Sequence, residues 1–493
     1  ALDAKVNLRA KSMLLDAIAR DYGAKTPKLI DVCRQHCSDI LWCCLRMIEN
    51  GYPYSVSALQ KVHDHYTLRQ KRLVAHSLSR WGLKVSGNGS MKGEGSRQEL
   101  VNELVDKTNL AADKRLLYTA KTKEISTKED NLVLIRDQLG TKPEFATERM
   151  KIRAVLAHQN RSKLTSTYSG PILSLPIKGI VTTNGDVGLA YPSWYTSPSK
   201  HELDAAEKEG GQIQGRLSCR QPAVATSPKA IKACRTTRHV RGVVLVADLS
   251  QIERRVAALY SNDPIMMAEY RQSLDCHAAM GDVVYSVVTG APAGTMLAMD
   301  PESKLFKSYR KAGKTVNFLI LYEGHANKLS ETLRRMLGEV VTVSQAQLII
   351  SRHDIKYRKL REWQRTLIAS AAKDGKLVLW TGWSRMFLGG MNAVDRDRSS
   401  VLNFPPQCTA AQLMQSSQAA LQDDMDTRKL QSVLDMNVYD AVQIDCVPHE
   451  VPTVKALIDK WLPNPPLLAS LAATLGRTIP LEYDIEEHAY GPE

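Results

Sequence analysis

Gly242-Val243-Val244-Leu245-Val246-Ala247-Asp248-Leu249-Ser250-Gln251-Ile252-Glu253-Arg254-Arg255 is the stretch on which the fold turns. The apolar, largely β-branched run from Val243 to Ala247 is too short for a typical helix and reads as a strand buried on both faces. Asp248 ends it. A carboxylate at the tip of a buried strand is held by a rigid element, can face a cleft, and suits a hard divalent cation. Ser250, Gln251, Glu253, Arg254 and Arg255 then follow as a helix begins. Taken alone, these residues fit equally well an ordinary strand followed by a helix capped by Asp248 or Ser250.

Working outward, 493 residues allow a large core and two or more subdomains. The 66 Lys+Arg against 52 Asp+Glu leave a net charge of +14, so an acidic partner is expected, with nucleic acid the first candidate. Nine cysteines without a regular framework argue for reduced thiols in an intracellular compartment. No stretch reads as a membrane span or a signal peptide, and no membrane partner is expected. The chain starts Ala1-Leu2-Asp3 without Met and reads as a fragment or a processed product.

From Lys11 to about Tyr54 the pattern is helical and ends in a helix stop at Asn50-Gly51. Cys33, His36, Cys37 and Cys43 fit no common zinc spacing, so a helix that carries thiols is the better reading. Ser55 to Trp81 reads as a second helix, bearing Lys61, Arg69, Lys71, Arg72 and Arg80, and Ser86 to Ser96 as a loop. Glu99 to Arg161 is helical and rich in charge. A basic helical region of this kind grips a duplex through its phosphates, or is simply a solvated face. Near Thr165 the texture changes to short β-like pieces, with a hairpin turn at Asn184-Gly185.

Two further segments carry chemistry. In Arg310-Lys311-Ala312-Gly313-Lys314-Thr315-Val316-Asn317-Phe318-Leu319-Ile320-Leu321-Tyr322, residues four apart share a helix face, drifting about 40° per step. Arg310, Lys314, Phe318 and Tyr322 thus form one stripe, two cations ahead of two aromatics. Such a face suits a triphosphate and its base and sugar, although an amphipathic helix with a basic end has the same pattern. Asn437 to Asp445 reads as two short strands meeting at Tyr439-Asp440, which is either a surface turn or a hairpin presenting Asp440 beside Asp248.

Taken in order, Lys163-Leu164-Thr165-Ser166-Thr167-Tyr168, Gly215-Arg216-Leu217-Ser218, Asp248 to Glu253, Arg310 to Tyr322, Gly382-Trp383-Ser384-Arg385, Asn403 to Ala411 and Tyr439-Asp440 resemble family A DNA polymerases, the DNA polymerase I type. The resemblance runs from about Glu49 to the C-terminus and is strongest around Arg216, Asp248, Lys314 and Asp440. It implies an α+β right-hand polymerase with an antiparallel β-sheet palm, helical fingers and a helical thumb. The expected division is an N-terminal helical remnant over 1–50, thumb 51–165, palm 166–260, fingers 261–395 and the second part of the palm 396–493.

The resemblance also implies roles. Asp248 and Asp440, with the carbonyl of Leu249, would hold two Mg²⁺, with Mn²⁺ as a substitute, about 4 Å apart for in-line phosphoryl transfer. Arg310 and Lys314 would meet the dNTP phosphates, Lys314 as a catalytic group; Phe318 would meet the sugar and base, Tyr322 the templating pocket, and Gln251 the nucleotide. Glu253 would close the space beside the sugar 2′ position and favour dNTPs over NTPs. Phe318, where some relatives carry Tyr, implies discrimination against sugars lacking a 3′-hydroxyl. Arg216, Arg255, Asn403 and Gln407 would contact the DNA primer-template duplex, the last two along the minor groove.

Four departures stand out: the family usually has Gly at Leu319, Glu323 and Cys408, and His-Asp-Glu where this chain has Tyr439-Asp440-Ala441. The expectation is primer-dependent DNA synthesis, without proofreading from this chain. The expected setting is the cytoplasm of a bacterium or phage-infected host, or an organelle. A single-subunit RNA polymerase and a drifted, catalytically weak duplex-binding protein are the rivals.

Overall fold

The computed structural model describes residues 40–83, 97–107, 124–127, 129–140, 142–174, 186–195, 215–220, 222–387, 394 and 398–489. The Ser86–Ser96 loop, the Asn184-Gly185 turn and Cys33, His36 and Cys37 lie outside them. Two compact units result. The smaller takes the described parts of Gly51–Ser193 and Cys219–Val240, the larger those of Ala1–Asn50, Trp194–Ser218 and Arg241–Tyr490.

In the smaller unit, strand β1 (Tyr52–Ser55) pairs antiparallel with β2 (Val187–Ala190). Ser55 caps helix α1 (Val56–Leu73) by accepting the amide of Ala58, and Asp186 accepts the amide of Ser57 at 2.7 Å. Helices α2 (Arg97–Lys107), α3 (Glu129–Leu139) and α4 (Ala146–Lys163) bury Leu104, Leu132, Ile135, Ile152 and Val155 in a common core. Lys61, Arg69, Lys71, Arg72 and Arg80 are all exposed.

One expectation is corrected here. The chain stays helical beyond Thr165, through a π-helical turn at Leu164–Ser169 and a short helix Gly170–Ser174. The physical reason is local: Thr165 Oγ1 and Ser166 Oγ donate back to carbonyls of the preceding turn, at Arg161 and Ser162, which satisfies their hydroxyls within a helix. Pairing of β1 with β2 keeps Val187–Ala190 in the helical unit instead of in the unit that holds the central sheet.

The larger unit is built on a four-stranded antiparallel sheet of order β6-β3-β5-β4, from β3 (Val243–Leu249), β4 (Val433–Val438), β5 (Ala441–Cys446) and β6 (Tyr483–Ala489). One of its two interior strands is β3, the apolar run, with Val244, Leu245 and Ala247 fully buried. The helix Leu41–Asn50 belongs here, through an Arg46–Asp426 ion pair of 3.1 Å and an Asn50 Nδ2 donation to the Leu434 carbonyl at 3.0 Å.

Between β3 and β4 the chain inserts its helices, among them α5 (Ile252–Ser261), α6 (Pro264–Arg271), α7 (Cys276–Thr289), α8 (Lys304–Leu321) and α9 (Arg398–Thr427). Behind β3, buried Arg254 donates to Glu269 at 3.0 Å and to the Tyr270 hydroxyl at 3.0 Å, and the Tyr357 hydroxyl adds a bond to Glu269 at 2.8 Å. A buried charge is tolerated only with such complete pairing. Helices α7 and α8 approach closely because Gly281 meets Gly313: a Cβ on Gly313 would lie 2.2 Å from the His277 carbonyl oxygen. Pro405 and Pro406 lie inside α9, where they lack the amide hydrogens that would reach back four residues to Val401 and Leu402.

Candidate active site

Alternation along β3 buries Leu249 and turns Asp248 outward at the strand's end. Its lateral neighbours in the register are Ala441 on β5 and Asp484 on β6. The β4–β5 hairpin closes through Tyr439-Asp440, with Tyr439 in the left-handed region at φ +60°, an uncommon conformation for an aromatic residue. The amide of Leu249 donates to the Asp440 carbonyl at 2.9 Å and fastens the hairpin tip to the end of β3. Two acids 192 positions apart in sequence (440 − 248) thus stand at one end of one sheet.

Their electrostatics are unfavourable in isolation. Partial enclosure pushes the Asp248 carboxyl up to about 6, the charges of Asp440, Asp484 and Glu486 add to the rise, and Lys314 opposes it. Asp440 is raised by burial, against the attraction of Arg216 and Lys314. Crowded carboxylates raise one another's affinity for protons and, equally, for a cation. Among the described residues no group of three or more His, Cys, Asp or Glu is arranged to hold a metal, and what Asp248 and Asp440 offer a cation is carboxylate oxygen. That oxygen-donor chemistry fits a hard divalent ion.

A pH dependence follows. An acid whose pKa is raised by folding holds its proton in the folded chain after the unfolded chain has lost it, so stability falls as pH rises through that window. For Asp248 the window runs from 3.8 to about 6. Without divalent cation, Asp248→Asn is therefore expected to melt progressively higher than the parent as pH climbs through it. Mg²⁺ should stabilise the parent above the window and stabilise the variant less. Thermal melts across pH check this, and a constant difference between the two proteins would contradict it.

Beside the acids lies a second cluster. Arg216 donates to Glu253 and its guanidinium sits 5.1 Å from the centre of the Tyr439 ring. The preceding Gly215, at φ +69°, is held by a 2.7 Å bond from Gln415 of α9 to its carbonyl. Burial and the charge of Asp440 push Glu253 up to about 7, while a hydrogen bond from Gln407 pulls it down. Arg216, Glu253, Gln407 and Tyr439 thus form one polar group next to Asp440. Asn403 lies one turn before Gln407 on α9, with its Oδ1 buried and without a hydrogen-bond partner among the described residues.

Helix α8 carries the stripe. Arg310 Nε donates at 2.6 Å to Asp275, which also caps α7 by accepting the amides of His277 and Ala278. Lys314 is exposed, its charge reaches both Asp248 and Asp440, and its Nζ is 6.0 Å from the Phe318 ring centre. Behind Phe318, buried His277 faces Asn317 at 3.0 Å, and burial holds its pKa down at about 4. Tyr322 caps the C-terminus of α8, and its hydroxyl is buried without a partner among the described residues.

Arg255 is corrected. Instead of facing DNA its side chain is only 2% exposed and donates to the Ser250 carbonyl at 2.9 Å, the Pro480 carbonyl at 2.6 Å and Glu482 at 2.5 Å. Position four residues along α5 from Gln251 turns it toward the chain leading into β6, where these acceptors await it. Gln251 itself, at φ +56°, accepts from the Tyr270 hydroxyl and Cys276 Sγ, each at 3.3 Å, so its side-chain oxygen is already engaged. Asp275, Asp484 and the role of Tyr439 as a platform for Arg216 escaped the sequence reading. The cap at Asp275 had a local signal in the Asp before a helical run; the register that brings Asp484 to Asp248 had none.

An antiparallel sheet with two acids at its end, faced by a cation-bearing helix, defines an α+β polymerase fold. The sequence profile described as DNA polymerase family A matches residues 88–486, and the chain belongs to that family. A solved structure titled the POL domain of Pol1 from M. smegmatis in complex with DNA primer-template and dNTP shares the fold, with a TM-score of 0.64 and 17% identity, covering 92% of this chain and 69% of that one. DNA polymerase I of Thermus thermophilus is 25% identical over 392 residues, 77% of this chain and 40% of that protein. DNA polymerase I of Deinococcus radiodurans is 26% identical over 378 residues, 75% and 34% respectively. The matches thus span 40% and 34% of the length of these two polymerases. No helix among the described residues is long and apolar enough to cross a membrane.

Proposed function

We propose that this chain performs template-directed, primer-dependent DNA synthesis, adding dNTPs to a primer 3′ end by two-metal nucleotidyl transfer. The observation that carries this reading is the juxtaposition of Asp248 and Asp440 at the end of one sheet, with the charge of Lys314 reaching both. Asp248, Asp440 and the Leu249 carbonyl would hold two Mg²⁺, or Mn²⁺ in their place, which when bound would supply charge neutralisation and a lowered pKa for the primer hydroxyl.

The chain's own residues do the rest. Asp248 and Asp440 supply the negative charge that holds the cations. Lys314 and Arg310 bind the triphosphate, and Lys314 balances the charge that builds on the leaving group. Phe318 packs on the incoming sugar and base, and Tyr322 borders the templating pocket. Glu253, steadied by Arg216 and Gln407, stands beside the sugar and excludes a 2′-hydroxyl. Asn403 and Gln407 read the minor groove, where every correct pair offers similar acceptors. Arg216 contacts the duplex; Arg255 drops out of the set because it is buried. In this reading the helices within residues 51–165, with exposed Lys61, Arg69 and Lys71, are the thumb, the sheet with α9 is the palm, and the helices within residues 261–395 are the fingers.

Extension of a labelled primer on a DNA template, with dNTPs or NTPs in parallel and Mg²⁺ present, tests this. Extension with dNTPs is the expected result. Extension with NTPs alone would make the chain an RNA polymerase, and duplex binding without extension would make it a drifted binding protein.

A further inference from the structure

We propose that Glu323 and Arg398 form a positioning pair that holds the nucleotide-facing end of α8 in register with α9; this rests on the polymerase reading above. Arg398 Nε and Nη2 donate to the two oxygens of Glu323 at 2.8 and 2.7 Å, a fork-to-fork geometry that fixes orientation as well as distance. One partner directly follows Tyr322. The other opens the described part of the helix that carries Asn403 and Gln407.

Local physics argues against a Glu at this place. The amide of Gly324 bonds the Leu319 carbonyl at 2.7 Å and that of Glu323 bonds the Ile320 carbonyl at 3.1 Å, the hydrogen-bond pattern of a Schellman end to α8. Glu323 occupies the position of that motif which glycine suits best, at φ +59°. Its negative charge also sits at the negative end of the helix dipole, and the last turn of α8 has no basic residue to offset it. A residue wrong for its backbone and wrong for its helix end is retained here with a bidentate partner on another element.

What the pair sets is the relation between two elements that each present a buried polar atom without a partner among the described residues, the Tyr322 hydroxyl at the end of α8 and Asn403 Oδ1 on α9. Those atoms await partners, and the bases of the primer-template and the incoming nucleotide are the chemistry that supplies them. Loosening the tie lets the two sets of groups drift apart while leaving the acids and Lys314 intact. Nucleotide selection should then suffer more than the chemical step.

Steady-state single-nucleotide insertion with Glu323→Gly, Arg398→Glu and the reversed pair Glu323→Arg/Arg398→Glu tests this. Glu323→Gly suits the backbone and should melt no lower than the parent. It is expected to raise KM for the correct dNTP roughly 10-fold, with a smaller change in kcat, and to raise misinsertion. Arg398→Glu alone should do so at least as strongly, because it sets two carboxylates face to face. The reversed pair restores the fork and should recover KM and selectivity. If Glu323→Gly leaves KM and misinsertion unchanged, or if the reversed pair is no better than Arg398→Glu, the positioning role is overturned while the polymerase reading stands. A parent chain that extends no primer overturns both.

Discussion

Asp440→Asn is expected to lower kcat for primer extension by roughly 10³-fold, about 4 kcal/mol of transition-state stabilisation, with Asp248→Asn at least as severe. Each change is isosteric and removes one charge from the pair of acids at this end of the sheet. Ala441, lateral to Asp248 on β5, contributes no carboxylate to make up the loss. The fold should not suffer. Burial raises Asp440, and Asp440 in turn raises Asp248, so removing either charge relieves repulsion. The expected signature is therefore a protein that melts higher than the parent without metal and, with Mg²⁺ present, extends primers roughly 10³-fold more slowly. Single-turnover extension with thermal melts in parallel checks it, and Asp440→Asn retaining parental kcat would remove the two-acid mechanism from consideration.

Lys314→Ala is expected to cost roughly 10²-fold in kcat, with Lys314→Arg recovering only part of it. Lys314 is exposed on α8, and its loss leaves no buried partner unpaired. Its charge reaches both acids, so it stands where triphosphate charge would develop between α8 and the sheet. Arg310 is different in kind: its Nε is committed to Asp275, and only its remaining nitrogens are available to a phosphate. Substituting Arg310 should therefore raise KM for dNTP more than it lowers kcat, whereas Lys314→Ala should do the reverse. Equal KM and kcat effects for the two variants would show that the two cations do not divide binding from chemistry.

Several elements of the site were legible because their signals are local. The length of the apolar run marked β3, the break in two β-rich pieces marked the hairpin at Tyr439-Asp440, and four-residue spacing marked the stripe on α8. The Ser- and Thr-rich segment after Lys163 misled, because hydroxyl side chains that often leave a helix here bond back into it. Arg255 misled for another reason. An arginine just beyond the strand that carries Asp248 looks like a phosphate ligand until its burial is known, and its acceptor Glu482 lies 227 residues away. The same holds for the carboxylate of Asp484 near Asp248, which depends on β6 pairing with β3 in one particular register.

Residue order by itself determined the polymerase family, through the succession of its motifs along the chain, and marked Asp248, Asp440 and the cation-bearing helix, each a pattern within one strand, turn or helix. Only the tertiary structure decided which arginine is buried and which is not, what steadies Glu253, and why a glutamate survives at the end of α8. Those depend on strand register and helix packing between segments far apart in the chain, where no local periodicity reports the partner.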